Sequence, residues 1–111
     1  MWGKALAVVG FSVVALASTA QAQELPRFDV EGYCEEIAEF GGGSHSIYNG
    51  CIDMEQQSYN RLKDDWPTLS ARIRNYCTEI GTFGGESYST MQGCVDMETQ
   101  AASGQRGFSF D

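Results

Sequence analysis

Basic residues are scarce in this 111-residue chain. Lys+Arg number 7 against 15 Asp+Glu, which leaves a formal net charge of -8. A surface with so little positive charge excludes nucleic acid as a partner, because phosphate binding needs a basic footprint. There is one His, at position 45, and no two of the four cysteines lie closer than 17 positions. The close Cys pairs of a thiolate metal site are therefore missing, and no metal or cofactor is expected. Only two prolines interrupt the chain. At this length most cofactor-binding α/β folds are also out of reach.

No apolar run is long enough to span a bilayer, which takes about 20 residues. The longest, from Ala5 to Ala17, follows Lys4 and leads into Ala20-Gln21-Ala22. A positive start, a short apolar stretch and an A-x-A site make the pattern of a secretory signal. Cleavage after Ala22 is expected, with no membrane span after signal removal and an exported location, periplasmic or secreted. An even number of cysteines in a small exported chain implies disulfides.

What the chain does have is a duplication. Residues 34–55, CEEIAEFGGGSHSIYNGCIDME, align with residues 77–98, CTEIGTFGGESYSTMQGCVDME, at an offset of 43 without a gap. Of these 22 positions, 13 are identical. One supersecondary unit is used twice. Val30, Tyr33, Cys34, Ile37 and Phe40 recur at helical spacing. So do Leu69, Ile73, Tyr76, Cys77, Ile80 and Phe83. Gly41-Gly42-Gly43-Ser44 and Gly84-Gly85-Glu86-Ser87 then break each helix. A second stripe follows in each unit, through Cys51, Met54 and Leu62 and through Met91, Cys94 and Val95. Asp29 is a suitable cap for the first helix. Ser89, with Gln92 three later, fits a capping box for the fourth. Pro67 ends the second helix, and Thr68-Leu69 begins the third.

The expected fold is therefore all-α: two tandem disulfide-stapled helical hairpins in a small four-helix assembly. The signal occupies 1–22. A single helical domain occupies 23–111, with repeats at about 29–66 and 68–102 and a flexible tail over 103–111. The midpoints of Cys34 with Cys51 and of Cys77 with Cys94 both fall at the glycine turns. Residues equidistant from a tight turn face each other in an antiparallel pair. Of three possible connectivities, symmetry selects Cys34–Cys51 and Cys77–Cys94. Such close helices suit Gly50 and Gly93, next to the second cysteine of each pair. The apolar core is expected from Ile37, Phe40, Leu62, Trp66, Leu69, Ile80 and Phe83.

These units, with Cys-x6-Gly-Gly-x-Ser followed by Gly-Cys-x-x-Met-Glu and a Trp66-Pro67 connector, resemble those of small exported bacterial proteins of unknown function. The stretch from Cys51 to Leu62 is more loosely similar to the cysteine-helix repeat of a lysozyme-inhibitor-like exported family. Neither resemblance supplies catalytic residues.

His45 between Ser44 and Ser46 invites a hydrolase reading, but the second unit has Tyr88 at the matching place. A triad also needs an oriented base and an oxyanion hole, which adjacent loop residues do not provide. Asp53/Glu55 and Asp96/Glu98 read as solvated acidic faces rather than calcium ligands, because i and i+2 diverge on a helix. If the connector reverses the chain at Pro67, both glycine turns share one end of the assembly. The candidate binding surface is then Ser44, His45, Ser46, Tyr48, Glu86, Ser87, Tyr88 and Ser89. The function expected is a non-enzymatic, acidic interaction or structural module. A basic envelope protein is its expected partner, and inhibition of an enzyme such as lysozyme is the alternative. Weak divalent-cation binding is a further alternative.

Overall fold

Among the described residues, every α-helix starts at a side-chain oxygen that accepts from a backbone amide three residues on. Asp29 caps α1 (Val30–Phe40) by accepting from the Gly32 amide at 3.1 Å. Ser44 caps α2 (His45–Asp65) through the Ile47 amide at 3.1 Å. Ser70 caps α3 (Ala71–Thr82) and Ser87 caps α4 (Tyr88–Ser103), each at 3.2 Å. Each cap satisfies a donor that the helix itself cannot. The computed structural model describes residues 24–111 together with Gly3 and Gly10. Apart from those two glycines, the signal expected over residues 1–22 lies outside the described residues.

The described chain is helical, and the two disulfides join the helices in tandem pairs. Cys34 bonds to Cys51, with Cα atoms 5.6 Å apart, and Cys77 to Cys94, with Cα atoms 5.4 Å apart. Each pair of helices is antiparallel about its glycine turn. Gly42 and Gly43 sit at φ 78° and 82°, in the left-handed region that side chains avoid, and this reverses the chain within three residues. A 3-10 turn over Trp66–Thr68, with Pro67 inside it, connects α2 to α3.

The capping positions correct two expectations by small shifts. Helix α4 begins at Ser87 rather than Ser89, because Ser87 presents its hydroxyl to the Thr90 amide. Helix α3 begins at Ser70 rather than Thr68-Leu69, because Pro67 and Thr68 are held in the 3-10 turn.

Close helix approach also has a different origin from the one expected. Gly50 and Gly93 both face open space. The tight contact in the second hairpin is at Gly81, where a Cβ would lie 2.9 Å from the Met91 Cβ. Its counterpart in the first hairpin is buried Ala38. A small residue one turn after the first cysteine of each pair lets the helices meet.

Packing is uneven between the two hairpins. The main apolar cluster gathers Leu62, Trp66, Cys77, Tyr88, Met91, Cys94 and Val95, with Leu25, Phe28, Val30, Tyr59, Leu69, Ile73 and Ile80 packed against it. It thus combines the second half of α2 with the second hairpin and the strap before α1. Phe40 and Phe83, expected in the core, are 92% and 86% exposed, and Ile37 is also exposed. The two phenylalanines close their helices at the glycine turns, where no described residue covers them.

Cys34 and Cys51 are buried but stand outside the main cluster. Closing a 17-residue loop is worth about 3 kcal/mol in the chain-entropy account. The two bridges therefore protect different things. Replacing Cys34 and Cys51 together by Ala is expected to raise amide exchange in α1 while α3 and α4 stay protected. The matching Cys77/Cys94 double replacement is expected to lower global stability by about 3 kcal/mol or more, because it also opens the core. Exchange measured by mass spectrometry distinguishes the two; equal and global loss in both variants contradicts the assignment.

Candidate functional site

Helix α2 is the spine on which the site is built. Its first half faces α1, and its second half faces α4. Contacts climb both α2 and α4 in the same direction, from Glu55 with Ser87 to Ser58 with Ser89 and Arg61 with Asp96. The two helices are therefore parallel. The start of α4 sits opposite Glu55, whereas the start of α2 is residue 45. The second hairpin is thus displaced along α2 by about ten residues, or ~15 Å at 1.5 Å per residue.

That displacement separates the two turns that the sequence placed side by side. The turn at Gly84–Ser87 lies beside the start of α1. A Cβ at Gly85 would meet the Tyr33 ring at 3.2 Å, and Glu86 Oε2 accepts from the Asp29 amide at 2.8 Å. The expected paired surface is not formed. Ser87 and Tyr88 are buried, and Ser89 is half-buried against Ser58, 3.2 Å away between hydroxyl oxygens. Ser44, His45 and Ser46 remain at the far tip, with His45 and Ser46 exposed and Tyr48 half-buried beside them. Ser44, His45 and Tyr48 border an open depression of about 440 Å³ together with Glu35 and Glu39. The Tyr48 hydroxyl is held above its ordinary pKa, by desolvation first and then by Glu31 and Glu35.

The centre of the junction is Glu55, only 3% exposed. Its Oε1 accepts from the Ser87 hydroxyl at 2.7 Å. Its Oε2 accepts from the Tyr88 amide at 2.6 Å and the Ser89 amide at 3.3 Å. A buried carboxylate here meets the free amides and the positive end of α4. This corrects the reading of Asp53 and Glu55 as one solvated face: Asp53 is exposed and Glu55 is not. A signal for it was present in the sequence. Cys51, Glu55, Ser58 and Leu62 follow one another at i, i+4, i+7 and i+11, so Glu55 shares the stripe of buried residues.

Tyr88 ties in the strap that precedes α1. Its hydroxyl donates to the Pro26 carbonyl at 2.6 Å and accepts from the Phe28 amide at 2.9 Å. Its ring stacks on Phe28 at 4.7 Å between centroids and tilts against Tyr59 at 4.9 Å. Burial pushes the phenol above its ordinary value. Tyr59 and Glu86 add to that, while the Phe28 amide and Arg27 oppose it. Beside it, Arg27, Val30, Ile52 and Gln56 rim a shallow cleft of about 460 Å³ whose floor includes Glu55.

No protein family, curated protein or solved structure matches this chain. Its own geometry therefore carries the functional reading. That geometry holds a structural polar lock at Glu55 and an open, acidic first hairpin.

Two outcomes are expected from these contacts. Glu55→Ala leaves Ser87 and the Tyr88 amide buried without an acceptor and should cost about 3 kcal/mol in denaturant unfolding. Glu98→Ala, at the matching position of the second repeat, should stay within about 0.5 kcal/mol. Equal losses would contradict the role given to Glu55. Tyr88 provides the pH test. Its folded-state pKa lies above the unfolded one, so its contribution is complete below the unfolded value near 10 and is lost as pH rises through the folded value. A melting-temperature profile should fall more steeply in alkali for the native protein than for Tyr88→Phe.

Proposed function

We propose that this protein is an exported, disulfide-stabilised acidic interaction module that binds a cationic partner and is not an enzyme. The observation that carries the reading is the composition of α1. Glu31, Glu35, Glu36 and Glu39 are all exposed on this eleven-residue helix, which has no basic residue, and Ile37 and Phe40 are exposed among them. A negative face with apolar side chains in it suits a basic surface that also offers some hydrophobic contact. Two disulfides in a small protein are consistent with an oxidising compartment. The signal pattern in residues 1–22 narrows that to export, periplasmic or secreted.

The reading leaves catalysis aside on chemical grounds. His45 is exposed at the first position of α2, and Ser44 beside it is occupied as the helix cap. A basic envelope enzyme such as lysozyme is the specific partner favoured by the depression at the first turn, where Glu35 and Glu39 flank Ser44 and Tyr48. Divalent-cation binding finds no comparable support: among the described residues, no three acidic, His or Cys side chains gather as ligands.

Calorimetric titration against a panel of basic proteins, lysozyme included, tests this. Binding that weakens as salt is added, and weakens several-fold in Glu35→Gln/Glu39→Gln, is the expected result. No heat and no inhibition across the panel would remove the reading.

A further inference from the structure

The second hairpin rests on a particular surface of the first repeat, and the second repeat carries the matching positions, two of the four identical, with no described residue docked on them. In the first repeat Tyr33 touches Gly85, Glu55 binds Ser87 through Ser89, Ser58 meets Ser89 and Tyr59 meets Tyr88. At the offset of 43 the matching residues are Tyr76, Glu98, Ala101 and Ala102. These four line one cleft of about 390 Å³ on the outer side of α3 and α4. The Glu98 carboxylate has no hydrogen-bond or ion-pair partner among the described residues, and Tyr76 is 47% exposed.

The complementary half is also present and also unused. The first turn repeats the docked turn, with Ser44 and Ser46 identical to Ser87 and Ser89. Its three donors match those that Glu55 satisfies: the Ser44 hydroxyl, the His45 amide and the Ser46 amide. None of the three has an acceptor among the described residues. Acceptor and donors lie at opposite ends of the protein, so they cannot meet within one chain.

We propose that the Ser44–Ser46 turn of a second copy docks in the Glu98 cleft, so that copies join head to tail by repeating the contact already made between the two hairpins. Where the internal contact pairs Tyr59 with Tyr88, the contact between copies pairs Ala102 with His45, and Tyr48 stands where Met91 does. The interface is heterologous and parallel, so it leaves a free donor turn at one end and a free cleft at the other. It is weaker than the internal one, because Gln105 replaces Leu62 and α4 ends at Ser103. The proposal rests on the interaction-module reading; its Glu98 cleft is a different surface, while its donor turn borders the depression that Glu35 and Glu39 flank.

Sedimentation velocity over a concentration series tests it, using the oxidised protein purified from its own host. Wild type should sediment faster as concentration rises. Ser46→Glu places a carboxylate opposite Glu98, and Glu98→Lys places an ammonium opposite the amides of α2. Both positions have solvent access, so each variant alone should stay monomeric with an unchanged melting temperature. An equimolar mixture of the two should regain association, because the intact cleft of one meets the intact turn of the other. A wild type that is monomeric throughout overturns the proposal, as does a mixture that stays monomeric. Variants that associate as well as wild type overturn it too and place the contact elsewhere, for example at exposed Phe108 and Phe110. A monomeric wild type that still binds basic proteins would leave the module reading intact.

Discussion

A single carboxylate decides how the two halves of this protein sit together. Glu55 meets the start of α4 with three hydrogen bonds in a dry site. Burying a charge is costly unless it is both paired and hydrogen-bonded. Here the compensation comes from the backbone itself, whose first amides have no partner within the helix. The requirement is geometric as well as energetic. Glu55 must lie level with Tyr88, which sets the displacement of one hairpin against the other. Everything that follows, from the Tyr88 anchor on the strap to the contact of Tyr33 with Gly85, depends on that register.

The sulfur bridges act at a different level. Each fixes the pairing of two helices about a turn, but neither links one hairpin to the other. The join between hairpins relies on the apolar cluster around Leu62 and Met91 and on the polar lock beside it. Local covalent clamps and a non-covalent junction thus divide the work. A small chain gains the first because its core alone is thin.

Much of the fold was legible in the sequence because the duplication and the helical stripes state it twice. The all-helical class, both disulfides and the Asp29 cap follow from residue spacing. The placement of the second hairpin did not. Identical turns suggest equivalent environments, and only the three-dimensional register makes Ser87 buried and Ser44 open. Phe40 and Phe83 continue their stripes in sequence yet stand exposed at the ends of their helices. Glu55 is the instructive case. Its spacing from Cys51 and Leu62 marks it as inward-facing, but its charge argues for solvent, and nothing local reveals that another helix will end against it. The candidate surface is accordingly not assembled as one: Ser44, His45, Ser46 and Tyr48 lie at one tip, and Ser87 to Ser89 form a joint.

Between Cys51, where the first hairpin is clamped, and Glu55, where the second begins, a single turn of α2 carries the chain from one half to the other. The helix serves there as a splint. Mechanically the halves are joined twice, by the turn of α2 at Ile52–Met54 and by the brace that Glu86 and Tyr88 form with the start of α1 and its strap.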